Sequence, residues 1–384
     1  MQQGQNFQIA DIIGLFAQSF IAKHKPNSWQ LRTLDALIKC RTAAMGGHKY
    51  QCDHCRKIHI SYNSCRNRHC PKCQVADNSL WIENRMRSIL PVKHYHFVFT
   101  VPEILNGICI LNSRWFYNQL FACAWDSLRQ FGYTHFGAES GAICILHTWG
   151  QNLSLHPHIH CIVPAAGLNL NGRWKYLGKS NRYLYPVRNI SHVFRAKFMM
   201  ALQKHPKIIG IKHEHKDLVK LAWKKPWVVY CQQSLAKPEH IIKYLGQYIH
   251  RIAITNNRLV NVNKAGVSFK IKDYRNAAKI KNISLSGEEF LRRFCLHILP
   301  KRFVRIRYYG IYNKRFANGA LNLDHKMVIS IPETKHERIK RITGIDLLLC
   351  PACKKGKLLV IEVIPKARLP SRIYKSKLIN HETS

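Results

Sequence analysis

Two Cys-x-x-Cys pairs, Cys52-Asp-His-Cys55 and Cys70-Pro-Lys-Cys73, constrain this chain more than any other feature. Each puts two thiolates on one tight turn, and two such turns can close a tetrahedral zinc site. The expectation is one structural zinc held by Cys52, Cys55, Cys70 and Cys73, with Cys65, His54, His59 and His69 as spare ligands. A closed four-ligand site leaves no open position for chemistry, so its work is folding, to which such knuckles contribute on the order of 10 kcal/mol. Cysteines used this way, without secretory context, point to a reducing cytosol rather than to disulfides. Near the other end, Cys350-Pro-Ala-Cys353 with Gly356 reads as half of a further ribbon. Either His325 or His336 completes it, or its metal has been lost.

Charge narrows the partners. Lys+Arg 61 against Asp+Glu 20 leaves a net +41, a chain that repels itself unless it meets polyanions. Aromatics at 10% suit stacking on unpaired bases, which a protein that merely coats duplex DNA does not need. Arg66 and Arg68 decorate the zinc module. Phe303-Val-Arg305-Ile-Arg307 alternates, which sets Arg305 and Arg307 on one strand face beside Phe303. These four arginines are the expected DNA contacts. The first residues lack the cationic start and apolar core of a signal peptide. No stretch reaches the roughly 18 apolar residues a spanning helix needs. The expectation is a cytoplasmic protein without a membrane partner.

The pattern along the chain divides it into three expected domains: a helical and zinc-binding domain over 1–91, a domain over 92–265 that carries a histidine pair, His158 and His160, and a tyrosine pair, Tyr244 and Tyr248, and a basic region over 266–384. Apolar residues at helical spacing open it, Ile9, Ile12, Ile13, Phe16 and Phe20, then Leu31, Leu34, Leu37 and Ile38, with Ser28 as the expected N-cap. A further helix is expected over 74–91. Residues 93–175 read strand, helix, strand, strand, with the helix over Leu111–Phe131 closed by Gly132. That order predicts an α+β fold, a central antiparallel sheet with flanking helices. Within it lies Leu155-His156-Pro157-His158-Ile159-His160-Cys161. Pro157 keeps its predecessors extended. In an extended strand His158 and His160 share one face and Ile159 takes the other, so the two imidazoles can share a metal ion. Further on, Pro238 and Glu239 suit a helix start. Tyr244 and Tyr248, four apart, then lie on one helical face.

Taken together, Tyr62-Asn-Ser-Cys65-Arg-Asn-Arg-His-Cys70-Pro-Lys-Cys73, His156-Pro-His158-Ile-His160-Cys-Ile-Val and Tyr244-Leu-Gly-Gln-Tyr248 resemble transposases of the insertion sequence 91 family. Glu289-Phe-Leu-Arg-Arg-Phe294 with Phe303-Val-Arg-Ile-Arg307 is also similar to theirs, and the motifs run in the family's order over roughly residues 9–320. The resemblance implies a two-tyrosine endonuclease of the His-hydrophobic-His (HUH) class acting in rolling-circle transposition in a bacterial cell, at the nucleoid when bound to DNA. It implies a five-stranded antiparallel sheet with two central strands side by side, one of which carries His158 and His160 as ligands of a catalytic divalent ion, Mg²⁺ or Mn²⁺. Tyr244 and Tyr248 are then the nucleophiles, and single-stranded DNA at the element's ends and at the target is the partner.

The residues suit that chemistry. A cation beside the scissile phosphate neutralises developing charge. A phenol, with its ordinary pKa near 10, gains phenolate character from the cation and the basic surroundings. Two imidazoles alone are soft ligands for magnesium. A third ligand is expected, with Gln151, His147, His156 and Gln247 the candidates. The rivals are a rolling-circle replication initiator or relaxase and a non-enzymatic zinc-ribbon nucleic-acid binder; the latter gives the histidine and tyrosine pairs no role.

Overall fold

A computed structural model describes residues 7–73, 89–177, 184–205, 214–235, 252–274, 276–313 and 333–367. The apolar spacing near the start becomes α1 (Ile9–His24) and α2 (Ser28–Lys39). The cap between them is Asn27 rather than Ser28. Its side chain accepts from the backbone N–H groups of Trp29 and Gln30, and the Gln30 side chain accepts the Asn27 N–H in return, a reciprocal cap. Next come the hairpin β1 (Gly47–Cys52) and β2 (Ile58–Tyr62), then β3 (His94–Thr100), α3 (Asn106–Leu111), α4 (Ser113–Phe136), β4 (Gly141–Trp149) and β5 (Leu155–Pro164). A short hairpin, β6 (Ala166–Leu168) and β7 (Trp174–Tyr176), leads to α5 (Val187–Gln203), α6 (Glu214–Lys224) and β8 (Val228–Leu235). The last part holds β9 (Leu259–Asn263), β10 (Gly266–Asp273), β11 (Lys279–Leu285), α7 (Gly287–Leu296), β12 (Ile306–Gly310), α8 (Lys335–Thr343) and β13 (Leu358–Ile364).

α4 runs past the expected stop at Gly132 and closes at Gly137, whose φ of 61° is the left-handed cap that favours glycine. Gly132 has a different use. The chain folds back so closely that a Cβ there would lie 2.6 Å from the Ala138 carbonyl oxygen.

The fold is α+β, centred on a five-stranded sheet in the order β12-β4-β5-β3-β8, every pair antiparallel. β5, the histidine strand, is its middle. Period-two alternation divides the sheet into two faces. Phe97 and Phe99 of β3, Cys144 and Leu146 of β4, and Ile159 and Cys161 of β5 bury themselves against α4 and α5 through Phe116, Phe121, Phe194 and Phe198. Full burial of each of those rings stabilises by roughly 1.5–3 kcal/mol. His96, Val98, Thr100, Ile145, His147, His158 and His160 share the opposite face. Thr100 pairs with His158 and Val98 with His160 on one side of β5, while His147 pairs with His158 and Ile145 with His160 on the other.

A second core joins α1 and α2 to β9, β10 and α7 through Ile12, Ile13, Phe16, Leu34, Phe269, Phe290 and Leu291. Gly287 makes this possible, since a Cβ there would lie 2.0 Å from Cγ of Phe16. Leu153, in the turn between β4 and β5, is buried in the same core. The second core is thereby fastened beside the histidine end of the sheet. No described helix is long and apolar enough to cross a membrane.

Candidate active site

His158 and His160 stand on the middle strand, two residues apart, so one face receives both. His147 is directly opposite His158 on β4, and directly opposed residues point the same way. One ligand atom from each of His147, His158 and His160 lies within 4.8 Å of the others. Hydrogen bonds select the nitrogens. His158 Nδ1–H donates to the His156 carbonyl at 2.7 Å. His160 Nδ1 is 2.8 Å from Nε2 of His96 on the adjoining strand. Nε2 of each is therefore the atom suited to a cation, and such outer partners fix tautomer and ring orientation in metal sites. Burial pushes the His158 imidazole down to about 4 and that of His96 to about 4. Both are neutral at physiological pH, the form that donates a lone pair. Three imidazoles fit a divalent transition ion such as Mn²⁺ better than Mg²⁺, which prefers oxygen.

Of the four residues considered for the third ligand, His147 is the one that joins the pair. Gln151 and His156 line the same cleft, and Gln247 lies outside the described residues. Pattern reading could name His147 but not choose it, because the choice depends on the register between β4 and β5.

The histidines open into a cleft of 1090 Å³. Its far wall is the hairpin β10–β11. Lys270, Lys272 and Tyr274 are exposed and alternate with Phe269 and Ile271, which pack into the second core. Arg258 braces the cleft by donating to the carbonyls of Lys270 at 2.8 Å and of Gln151. Ile252, Ala253, Ile254 and Thr255 also line it. These residues follow Tyr244 and Tyr248, which lie outside the described residues, as do residues 74–88 of the helix expected over 74–91; 89–91, which are described, are not helical.

The cysteines form two clusters where one was expected. Cys70 and Cys73 meet Cys40 and Cys65, whereas Cys52 and Cys55 meet Cys350 and Cys353. In the first cluster Sγ of Cys40 is 3.5 Å from Cys70 and 3.6 Å from Cys73, with Cys65 3.7 Å from Cys73. Four sulfurs at 2.3 Å from a zinc stand about 3.8 Å apart, so these spacings are close to tetrahedron edges. The grouping Cys52, Cys55, Cys70 and Cys73 is thus replaced, because β1 and β2 carry the first knuckle away from the second. Cys40, the C-cap of α2, was missed; a single cysteine ending an apolar helix has no spacing signature.

The arginines also divide. Arg66 is exposed. Arg68 donates to the Phe303 carbonyl at 2.6 Å and so ties the zinc module to the segment leading into β12. Arg307 pairs with Cys144, on the helix side of the sheet, away from the histidines. Its guanidinium lies 4.2 Å from the Phe121 ring centre and bonds Asn118. Burial and the nearby Arg68 push Arg305 down to about 10. The expectation that Arg305 and Arg307 present a DNA-facing surface gives way: register puts Arg307 against α4, and Arg305 is drawn in beside Arg68.

Residues 12–101 match the family model described as "Transposase zinc-binding domain", and residues 141–319 match one described as "Putative transposase". Among curated proteins, the chain is 36% identical to "Putative transposase y4qJ" of Sinorhizobium fredii over 96% of this chain and 98% of that one. It is 28% identical to "Transposase for insertion sequence element IS801" of Pseudomonas savastanoi, over 74% of this chain and 71% of the other. No solved structure matches.

Proposed function

Because the chain belongs to the insertion sequence 91 family of transposases, we propose that it cuts and rejoins single-stranded DNA through a 5′-phosphotyrosine, as a rolling-circle transposase of the HUH class. The observation that carries this reading is the meeting of His147, His158 and His160 on the middle strand of the antiparallel sheet, facing a cleft walled by lysines. His147, His158 and His160 would hold a divalent ion, Mn²⁺ or Mg²⁺, which when bound would supply Lewis-acid polarisation of the scissile phosphate.

The remaining chemistry belongs to the chain. Tyr244 or Tyr248 attacks phosphorus with its phenolic oxygen. The P–O3′ bond breaks, and the phenolic proton is made up at the departing 3′-hydroxyl. The new phosphodiester keeps the energy of the old one, so the reverse attack by a 3′-hydroxyl rejoins DNA without ATP. Two tyrosines let one end be held while a second is cut. Lys270 and Lys272 suit phosphates and Tyr274 suits a base face, the combination a single strand calls for.

The test is incubation with end-labelled single-stranded DNA carrying the element's terminus, with Mn²⁺ or with EDTA. A covalent protein–DNA adduct forms only with the metal, and it is lost in the Tyr244→Phe/Tyr248→Phe double variant and in His158→Ala. An adduct that persists in the double tyrosine variant overturns the mechanism.

A further inference from the structure

Cys350-Pro-Ala-Cys353 lies beyond both matched family segments, which end at residues 101 and 319. The strand that follows it, β13, pairs antiparallel with β1, from Gly47 opposite Ile364 to Cys52 opposite Leu358. With β2 this makes a three-stranded sheet in the order β13-β1-β2. The pairing brings the knuckle at the end of β1 and the knuckle before β13 to the same end of that sheet.

The two knuckles are built alike. Arg56 N–H donates to the Cys52 carbonyl at 3.1 Å, and Lys354 N–H to the Cys350 carbonyl at 2.9 Å. The donors are left-handed, with φ of 58° at Arg56 and 53° at Lys354. Cys55 N–H points to Cys52 Sγ at 3.4 Å, and Gly356 N–H to Cys353 Sγ at 3.4 Å. Across the junction Cys52 Sγ is 3.7 Å from Cys353 Sγ, and Cys55 Sγ is 3.7 Å from Cys350 Sγ. A disulfide needs about 2.05 Å, while tetrahedral zinc with 2.3 Å bonds sets sulfurs about 3.8 Å apart.

The knuckles are also latched by backbone. Asp53 N–H donates to the Lys357 carbonyl at 3.1 Å, and Lys357 N–H donates to the Asp53 carboxylate at 2.7 Å. The approach is so close that a Cβ on Gly356 would sit 2.5 Å from Cys52 Sγ. His59 Nε2, at 3.6 Å from Cys350 Sγ, can hydrogen-bond that sulfur from outside the four-sulfur set. The sheet has little core of its own: Ile58, Ile60, Val360, Ile361 and Val363 are all exposed. A sheet with so little apolar burial needs something else to hold its strands.

We propose that Cys52, Cys55, Cys350 and Cys353 bind a second structural zinc, a clasp that fastens the C-terminal strand β13 to the N-terminal module, separate from the zinc held by Cys40, Cys65, Cys70 and Cys73. It joins cysteines 295 positions apart. A closed tetrathiolate set has no open position for substrate, so its role is structural.

The test uses the full chain purified with zinc. Metal analysis gives one zinc ion per chain fewer in Cys350→Ser/Cys353→Ser than in the unsubstituted protein, a difference that holds whether or not His147, His158 and His160 also take zinc. In the unsubstituted protein, thiol alkylation followed by mass spectrometry shows Cys52, Cys55, Cys350 and Cys353 protected together and exposed together on chelation. Limited proteolysis after chelation cuts between α8 and β13 faster than before it. A zinc content unchanged by the double substitution overturns the proposal. So does ready alkylation of Cys350 and Cys353 in the zinc-loaded chain while Cys52 and Cys55 stay protected, a result that does not depend on any variant folding.

Discussion

His96 Nε2 and His160 Nδ1 lie 2.8 Å apart across the β3–β5 pair. For His160 to offer Nε2 to a cation in its neutral form, its proton must be on Nδ1, and His96 must accept it. His96 then carries its own proton on Nδ1, a tautomer its depressed pKa of about 4 keeps available at neutral pH. His96 is thus a positioning residue, acting through His160. His96→Ala is expected to raise the Mn²⁺ concentration for half-maximal adduct formation about 10- to 100-fold, with the plateau at saturating metal largely kept. His96→Asn, which retains an acceptor, recovers part of the loss. A His96→Ala plateau that falls at every metal concentration, with an unmoved midpoint, would count against positioning and for a purely structural part.

Acid lability follows from two histidines outside the trio His147, His158 and His160. Burial pushes His94 down to about 4 and His297 to about 4. His94 donates from Nδ1 to the Val92 carbonyl at 2.7 Å and accepts from the Tyr312 hydroxyl at 2.5 Å. His297 bonds the Leu153 carbonyl at 3.1 Å and Thr148 at 3.2 Å. Between pH 6.5 and 4 the unfolded chain binds protons at these sites that the folded chain does not. Stability is whole above pH 6.5 and falls as pH drops toward 4, by up to about 1.4 kcal/mol per pH unit for each histidine, levelling off below 4. Thermal melts from pH 7.5 to 4.5 measure the slope. His297→Gln keeps hydrogen-bonding capacity without the titration, so it should show a shallower slope than the parent. Equal slopes in the two proteins would remove His297 from the account.

What the sequence made legible was local. Pro157 and the alternation around Ile159 placed His158 and His160 on one strand face, and Cys-x-x-Cys spacing announced zinc. Relationships that depend on strand order were not legible. The partner of the Cys52–Cys55 knuckle is 295 to 301 positions away, and no local pattern encodes the pairing of β1 with β13. The alternation of Arg305 and Arg307 was read with the right period and the wrong outward face. Period two divides a strand into two sides but does not say which one meets α4. Nor does a glycine at a helix start announce the ring that packs against it, as Phe16 does against Gly287.

That reassignment of the arginines yields a contrast in salt dependence. Lys270 and Lys272 face the histidine cleft, whereas Arg307 is held by Phe121, Phe303 and Asn118. Each phosphate contact to a single strand contributes about 0.7 to the slope of log affinity against log salt. Lys270→Ala/Lys272→Ala should therefore weaken binding of a labelled oligonucleotide and flatten that slope by about 1.4, with the melting temperature nearly unchanged because both side chains are exposed. Arg307→Ala should leave the slope alone and destabilise the fold by roughly 1–3 kcal/mol, since it removes a cation over aromatic faces and a hydrogen bond to Asn118. Fluorescence anisotropy at four or five salt concentrations, beside thermal melts, separates the two. A flattened slope in Arg307→Ala and an unchanged one in the lysine pair would return DNA contact to the arginine strand and take it from the β10–β11 wall.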